Sequence, residues 1–253
     1  MQFNPAVSRL DFTVALSEFD RKMDGVYEGH VGDVEAGVGV DPFAVALEMQ
    51  QYGIDFATWK TEFEPRRRWQ KTMMNHIGDL QQDLVAQFDG WTSHHPGAGV
   101  AEPDLVGRIG ERRVIVELKN AKNTLNSASA KGTYQAMSAH LDGKYKGFVG
   151  IVVGLKWGTD DEPKYRRFAP GRANVGREDL LEMGGRTFYA LVTDPRQQTP
   201  PLVLETPAAV KWKESWRSLD EIAVRFFAEW TRHYGVDFAS TELRDLMKAA
   251  YVS

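Results

Sequence analysis

The sequence predicts an α/β fold with a β-rich middle between helical N- and C-terminal parts, and three features of the 253-residue chain predict it. Apolar residues recur at helical spacing before residue 90 and again after residue 218, whereas the central block shortens its period to that of strands. Two β-prone runs, 105–109 and 113–118, are separated by Gly110-Glu111 in the manner of a hairpin. The run 148–154 is apolar throughout, as a strand buried on both faces should be. With 42% hydrophobic and 11% aromatic side chains, the chain can bury one sizeable core. One compact domain is expected, made of a helical region 1–69, a core 70–194 and a helical region 195–253.

Taken in order, Leu10, Val14, Leu16 and Phe19 lie at loose helical spacing within 8–23. The glycine-rich 25–39 reads as a loop; it is no phosphate cradle, because no strand precedes it and no Gly-Lys-Ser/Thr follows. Residues 42–52 read as a helix. Pro65 precedes a basic cluster, Arg66, Arg67, Arg68 and Lys71, leading into a helix with the apolar face Ile77, Leu80, Leu84, Val85 and Phe88, ended by Gly90. Cations at a helix N-terminus oppose the macrodipole, which leaves two readings for the arginines: phosphate contacts or a solvated charged turn.

Beyond the hairpin, 131–141 reads as a helix and 187–192 as a further strand. The polar stretch 156–186, rich in Arg, Gly and Asp, reads as a long loop, and loops of that length inside a compact domain are usually functional or mobile. Ser218-Leu219-Asp220-Glu221 is a capping box opening a helix that carries Ile222, Phe226, Phe227 and Trp230, and 241–250 reads as a second short helix.

The absence of cysteine excludes disulfides and thiolate metal sites and suits a reducing cytoplasm. The first ten residues do not resemble a secretion signal, and no apolar run approaches the roughly 20 residues that cross a bilayer, so a soluble cytoplasmic protein is expected. Net charge is −4, yet residues 112–186 hold 14 Lys+Arg against 8 Asp+Glu while the remainder holds 17 against 27. A basic middle in an acidic chain points to one cationic face for a polyanion.

The stretch that carries chemistry is Pro103-Asp104 followed, thirteen residues after the aspartate, by Glu117-Leu118-Lys119 at the end of an apolar run. Strand alternation sets Glu117 and Lys119 on one face and Leu118 on the other, and Asp104 opens the neighbouring strand. Two half-buried carboxylates repel each other and need a cation between them, and a hard divalent ion such as magnesium suits oxygen ligands, the Leu118 main-chain carbonyl among them. Lys119 would then orient a water and neutralise charge on a phosphodiester. A structural ion pair between Glu117 and Lys119 is the competing reading. His94-His95 are read as loop residues, since adjacent side chains diverge and no acid cluster matches them.

Three further stretches carry a family likeness: Gly90-Trp91-Thr92, Glu117-Leu-Lys-Asn-Ala-Lys-Asn-Thr124, and Thr187-Phe-Tyr-Ala-Leu-Val-Thr-Asp194. The segment 77–194 resembles the type II restriction endonucleases that cut GGNCC sequences, within the PD-(D/E)xK superfamily. The resemblance implies a restriction-endonuclease-like core with a mixed central β-sheet flanked by helices, a homodimer, double-stranded DNA with a short palindromic site, and magnesium. It places Asp104, Glu117 and Lys119 at the catalytic positions and makes Asp83, on the preceding helix, a candidate additional metal ligand. Ala121-Lys122 stands where the family carries Lys-His, so the likeness speaks to the chemistry more than to the target sequence.

Reading of base edges falls most naturally to arginine, here Arg166, Arg167, Arg172 and Arg177 in the long loop. Backbone contacts fall to Asn120, Lys122, Asn123, Thr124 and Lys131, just after the catalytic strand, with Arg66, Arg67 and Arg68 as a further set. A nuclease of repair or recombination and a non-catalytic DNA-binding protein are the alternatives at this stage.

Overall fold

A computed structural model describes residues 5–95, 102–119, 127–154, 165–169, 176–193 and 218–235. Contacts divide the chain into a helical unit, Val14–Leu80, and a sheet-centred unit, Met1–Thr13 with Gln81–Ser253. No helix among the described residues is long and apolar enough to cross a membrane.

The helical unit takes in most of α2 (Phe12–Met23), then α3 (Val26–Glu35), α4 (Pro42–Tyr52) and α5 (Phe56–Thr58), which continues through a π-helical turn, Trp59–Phe63, into α6 (Glu64–Ala86). The start of α4 is set by Asp41, whose carboxylate accepts a hydrogen bond from Phe43 N–H at 2.9 Å, and by Pro42 in the first turn; Gly53, at φ 64°, ends it. Val34, Val45 and Trp59 form the unit's core, and the Trp59 indole donates to Glu48 at 2.8 Å. The expected loop over 25–39 is therefore corrected: ten of those residues are helix α3. Gly29 and Gly32 weaken it, but burying Val34 against Val45 and Trp59 outweighs their cost of about 1 kcal/mol each.

The sheet-centred unit holds α1 (Pro5–Ser8) and six strands: β1 (Thr92–Ser93), β2 (Leu105–Ile109), β3 (Arg112–Lys119), β4 (Val149–Gly154), β5 (Tyr165–Arg167) and β6 (Leu180–Gly184). Their order is β1-β2-β3-β4-β6-β5, with β3, β4 and β6 parallel and the other pairs antiparallel, so the mixed sheet and the α/β class expected from the sequence are borne out. The parallel pair β3 and β4 is bridged by α7 (Ser127–Asp142), whose Met137 and Leu141 pack with Tyr145 on Ile115, Val152 and Leu180. The opposite face receives α8 (Gly185–Thr193), which contacts α9 (Ser218–Tyr234). On that face the Trp91 indole lies over Gly107, where an added Cβ would come within 2.3 Å of the ring, and meets Phe188 edge-on.

Two expectations fail here. Residues 187–192 are not a strand but the body of α8; Thr187, Phe188, Tyr189, Ala190, Leu191 and Thr193 are all buried, and a short run of aromatic, aliphatic and β-branched residues suits a strand as well as a helix until its packing is known. The segment 156–186 is not one long loop, because it contains β5 and β6. β6 is an interior strand interrupted by Glu182, and β5 is a three-residue polar edge strand; neither announces itself by composition. The second C-terminal helix expected at 241–250 lies outside the described residues.

Candidate active site

The hairpin positions the acids. Antiparallel pairing sets Leu105 opposite Val116, so Asp104, one residue before β2, comes alongside Glu117. Asp104 Oδ2 accepts a hydrogen bond from Leu118 N–H at 2.7 Å, and its main-chain oxygen accepts from His94 N–H at 2.9 Å. Lys119 Nζ donates to Glu117 Oε1. Both side chains are 23% exposed, half sunk into the α7 side of the sheet beyond Ile115, while Leu118 is buried on the other face. Two acids and an amine are thus gathered at the C-terminal end of β3, with a path to solvent.

In lateral register with Glu117 stand Val152 on β4 and Glu182 on β6, and Arg166 of β5 pairs opposite Glu182. Glu182 is 17% exposed and receives the Arg166 guanidinium at 2.7 Å. Sequence reasoning missed Glu182 because β6 itself went unrecognised.

The donors suit a hard cation in kind. Asp104, Glu117 and the Leu118 carbonyl offer oxygen only, and magnesium is commonly held by one or two carboxylates with waters and substrate phosphate completing the shell. Among the described residues no group of three or more histidine and acidic side chains is placed to hold a metal ion. Asp83 accordingly does not join Asp104 and Glu117. Its Oδ1 lies 2.7 Å from His95 Nε2 and accepts from Ser93 Oγ at 3.3 Å, which ties α6 to β1, the strand beside Asp104. The two histidines do diverge: His94 Nδ1 is buried and has no hydrogen-bond partner among the described residues.

The DNA-contact candidates separate by surroundings. Arg166 is 64% exposed and Arg167, paired with Glu178 at 3.1 Å, is 39% exposed. Arg177 is committed internally: its guanidinium bonds both oxygens of Asp179 and one of Asp142 at 2.8 to 2.9 Å, and these bonds, first those to Asp179, hold it still more firmly protonated than usual. Lys131 is exposed on α7. Asn120, Lys122, Asn123, Thr124 and Arg172 lie outside the described residues.

In the helical unit, Pro65 does not start a helix, since α6 continues from α5 and the π-helical turn; Arg66, Arg67 and Arg68 sit inside a continuous helix. Arg67 and Arg68 reach the buried Glu64 at 2.6 and 2.7 Å, and Arg66 lies 3.6 Å from Glu62. The macrodipole argument therefore does not apply to them. Three and four residues from Glu64, they satisfy a buried carboxylate.

With this geometry in place, comparison with known proteins is decisive. The model of the Eco47II restriction endonuclease family matches residues 35–212, well over half of the chain. The chain belongs to the Eco47II restriction endonuclease family. The type II restriction enzyme Eco47II of Escherichia coli is 25% identical over 180 residues, covering 68% of this chain and 72% of its own. The type II restriction enzyme Sau96I of Staphylococcus aureus is 24% identical over 207 residues, covering 75% of this chain and 73% of its own. The protein is accordingly a type II restriction endonuclease, a site-specific deoxyribonuclease, and the family match contains all six strands together with Asp104, Glu117 and Lys119.

Proposed function

We propose that this endonuclease hydrolyses a phosphodiester in each strand of double-stranded DNA at a short palindromic site of the GGNCC kind, with magnesium, using Asp104, Glu117 and Lys119. The observation that carries the reading is the convergence of these three groups at one solvent-accessible end of β3. Asp104 and Glu117, with the Leu118 carbonyl, would hold the cation, which would supply charge neutralisation at the phosphate and a more acidic water. Lys119 is stored on Glu117 in the free protein. A phosphate entering the site competes for its ammonium group, which then orients the attacking water and offsets the charge that grows on the phosphoryl oxygens.

Arg166, Arg167 and Lys131 provide exposed cations on the sheet-centred unit, and Asn120, Lys122, Asn123, Thr124 and Arg172 belong to the same DNA-facing set; Arg177 braces β6 instead. Arg66, exposed on α6, is a candidate backbone contact. The nuclease core comprises 70–194, between helical N- and C-terminal regions, and acts in the cytoplasm as a homodimer whose two-fold axis matches that of the target.

The deciding experiment incubates the protein with long duplex DNA, with and without magnesium, and sequences the fragment ends. Discrete fragments sharing one terminal sequence, formed only with the divalent ion, are the expected result. Cleavage confined to branched or damaged DNA would place the enzyme in repair or recombination. Lys119→Ala is expected to lose at least about 100-fold in cleavage rate, the lower range for loss of one donor that stabilises transition-state charge, while still binding duplex in a gel-shift assay. Equal cleavage by the variant would remove Lys119 from the chemistry. Sedimentation at micromolar concentration checks the dimer.

A further inference from the structure

Glu102 stands two residues before Asp104, and both of its carboxylate oxygens are held. Lys144 Nζ donates to Oε1 and the Tyr145 hydroxyl donates to Oε2, each at 2.6 Å. The two donors differ in kind. Lys144 is 64% exposed, and an ion pair at the surface adds little by itself. Tyr145 is 6% exposed and belongs to the core between α7 and the sheet, packed with Ile115, Met137, Leu141 and Val152 and edge-on to the rings of His140 and Phe148. A phenylalanine would fill that core equally well. The hydroxyl at the end of the ring serves the carboxylate of Glu102 and not the packing beneath it.

Between Glu102 and Asp104 lies only the buried Pro103, whose ring fixes its own φ. Displacement of Glu102 is therefore passed along a stiff link. At the other end, Asp104 is fixed by His94 N–H on its main-chain oxygen and by Leu118 N–H on Oδ2. We infer that Glu102, anchored by Tyr145 and Lys144, is a positioning residue that locks the Asp104 carboxylate in register with Glu117. The inference rests on the catalytic reading of Asp104. It adds the α7–β4 turn to the machinery of the site, although that turn touches neither Glu117 nor Lys119 in the sequence.

Tyr145→Phe tests it, because the ring and its packing remain while the hydroxyl is lost. The first readout is hydrogen exchange at the Leu118 amide, which reports directly whether Asp104 Oδ2 stays in place and needs no activity. The second is the magnesium concentration giving half-maximal single-turnover cleavage at saturating DNA. We expect faster Leu118 exchange and a half-saturating magnesium concentration about tenfold higher, the lower end for loss of a partner that orients a metal ligand. Duplex affinity should hold, and the melting temperature should fall by no more than about 4 °C. Unchanged Leu118 exchange and magnesium dependence in a folded Tyr145→Phe protein would overturn the inference. If wild type cleaves no DNA, the catalytic reading falls on that result, while exchange still decides whether Glu102 positions Asp104. Should Tyr145→Phe fail to fold, Glu102→Ala, a part-exposed substitution that releases both anchors at once, must give faster Leu118 exchange or the inference is rejected.

Discussion

Glu64 on α6 is 3% exposed and meets Arg67 and Arg68 at 2.6 and 2.7 Å. Burial works against its charged form, yet the hydrogen bonds from Arg67 and then Arg68 prevail and hold the carboxyl below its ordinary range. A carboxylate depressed in the folded state adds stability above the unfolded pKa of about 4.3 and loses it as pH falls toward the folded value. Glu64→Gln should therefore cost about 2 kcal/mol at pH 7, less than the 3 to 5 typical of fully buried pairs because Arg67 reaches solvent. The gap to wild type should narrow as denaturant melts are repeated from pH 5 down to pH 3. A gap independent of pH would show that the fold does not depress the Glu64 carboxyl. The spacing Glu64-Arg67-Arg68 was visible in the sequence as an i, i+3, i+4 cluster. It was misread because Pro65 looked like a helix start, whereas the helix arrives from further upstream.

At the level of elements, α3 forms against its own composition. Gly29 and Gly32 are exposed helical positions where an added Cβ would meet nothing within 4 Å, while Gly25, Gly37 and Gly39 take positive φ and belong in turns. Gly29→Ala and Gly32→Ala should each stabilise by about 0.5 to 1 kcal/mol, read as a higher denaturation midpoint; the same change at Gly37 should destabilise. A loss at Gly29 or Gly32 would mean that those positions touch something in the working protein. Elements with a period or a cap were legible: α4 between Asp41-Pro42 and Gly53, and the hairpin at Gly110, which has φ 60°. α8 and β6 were not: the short apolar run 187–192 suits strand and helix alike, and Glu182 breaks the apolar run of β6.

Across the whole molecule, charge is placed locally. Net charge of −4 opposes a polyanion, so binding must come from a few exposed cations near the site. Arg166→Gln keeps a donor for Glu182 while removing a charge, and should lower the slope of log affinity against log salt by about 0.9, the value for one phosphate contact. Arg177→Gln should leave that slope unchanged and reduce stability, since Asp142 and Asp179 would lose their shared cation. Fluorescence anisotropy with duplex DNA from low to moderate salt, alongside thermal melts, separates the two. Equal slopes for both variants and wild type would exclude Arg166 from the DNA interface.

The sequence by itself determined the hairpin, the shared face of Glu117 and Lys119, the aspartate that opens the adjacent strand and the α/β class, because these follow from local alternation and turn chemistry, which neighbours in the chain dictate. Only tertiary structure decided that Asp83 is held by Ser93 and His95, that Glu64 claims two arginines of the basic cluster, that Glu102 is held from the α7–β4 turn, and that Glu182 falls in line with Glu117 two strands away. The last two join residues 43 and 65 positions apart, through parallel pairing across a helical crossover and a side chain reaching up from the core. Such contacts depend on which strands become neighbours and on what surrounds a group once water is excluded, and neither is fixed by the residues adjacent in the chain.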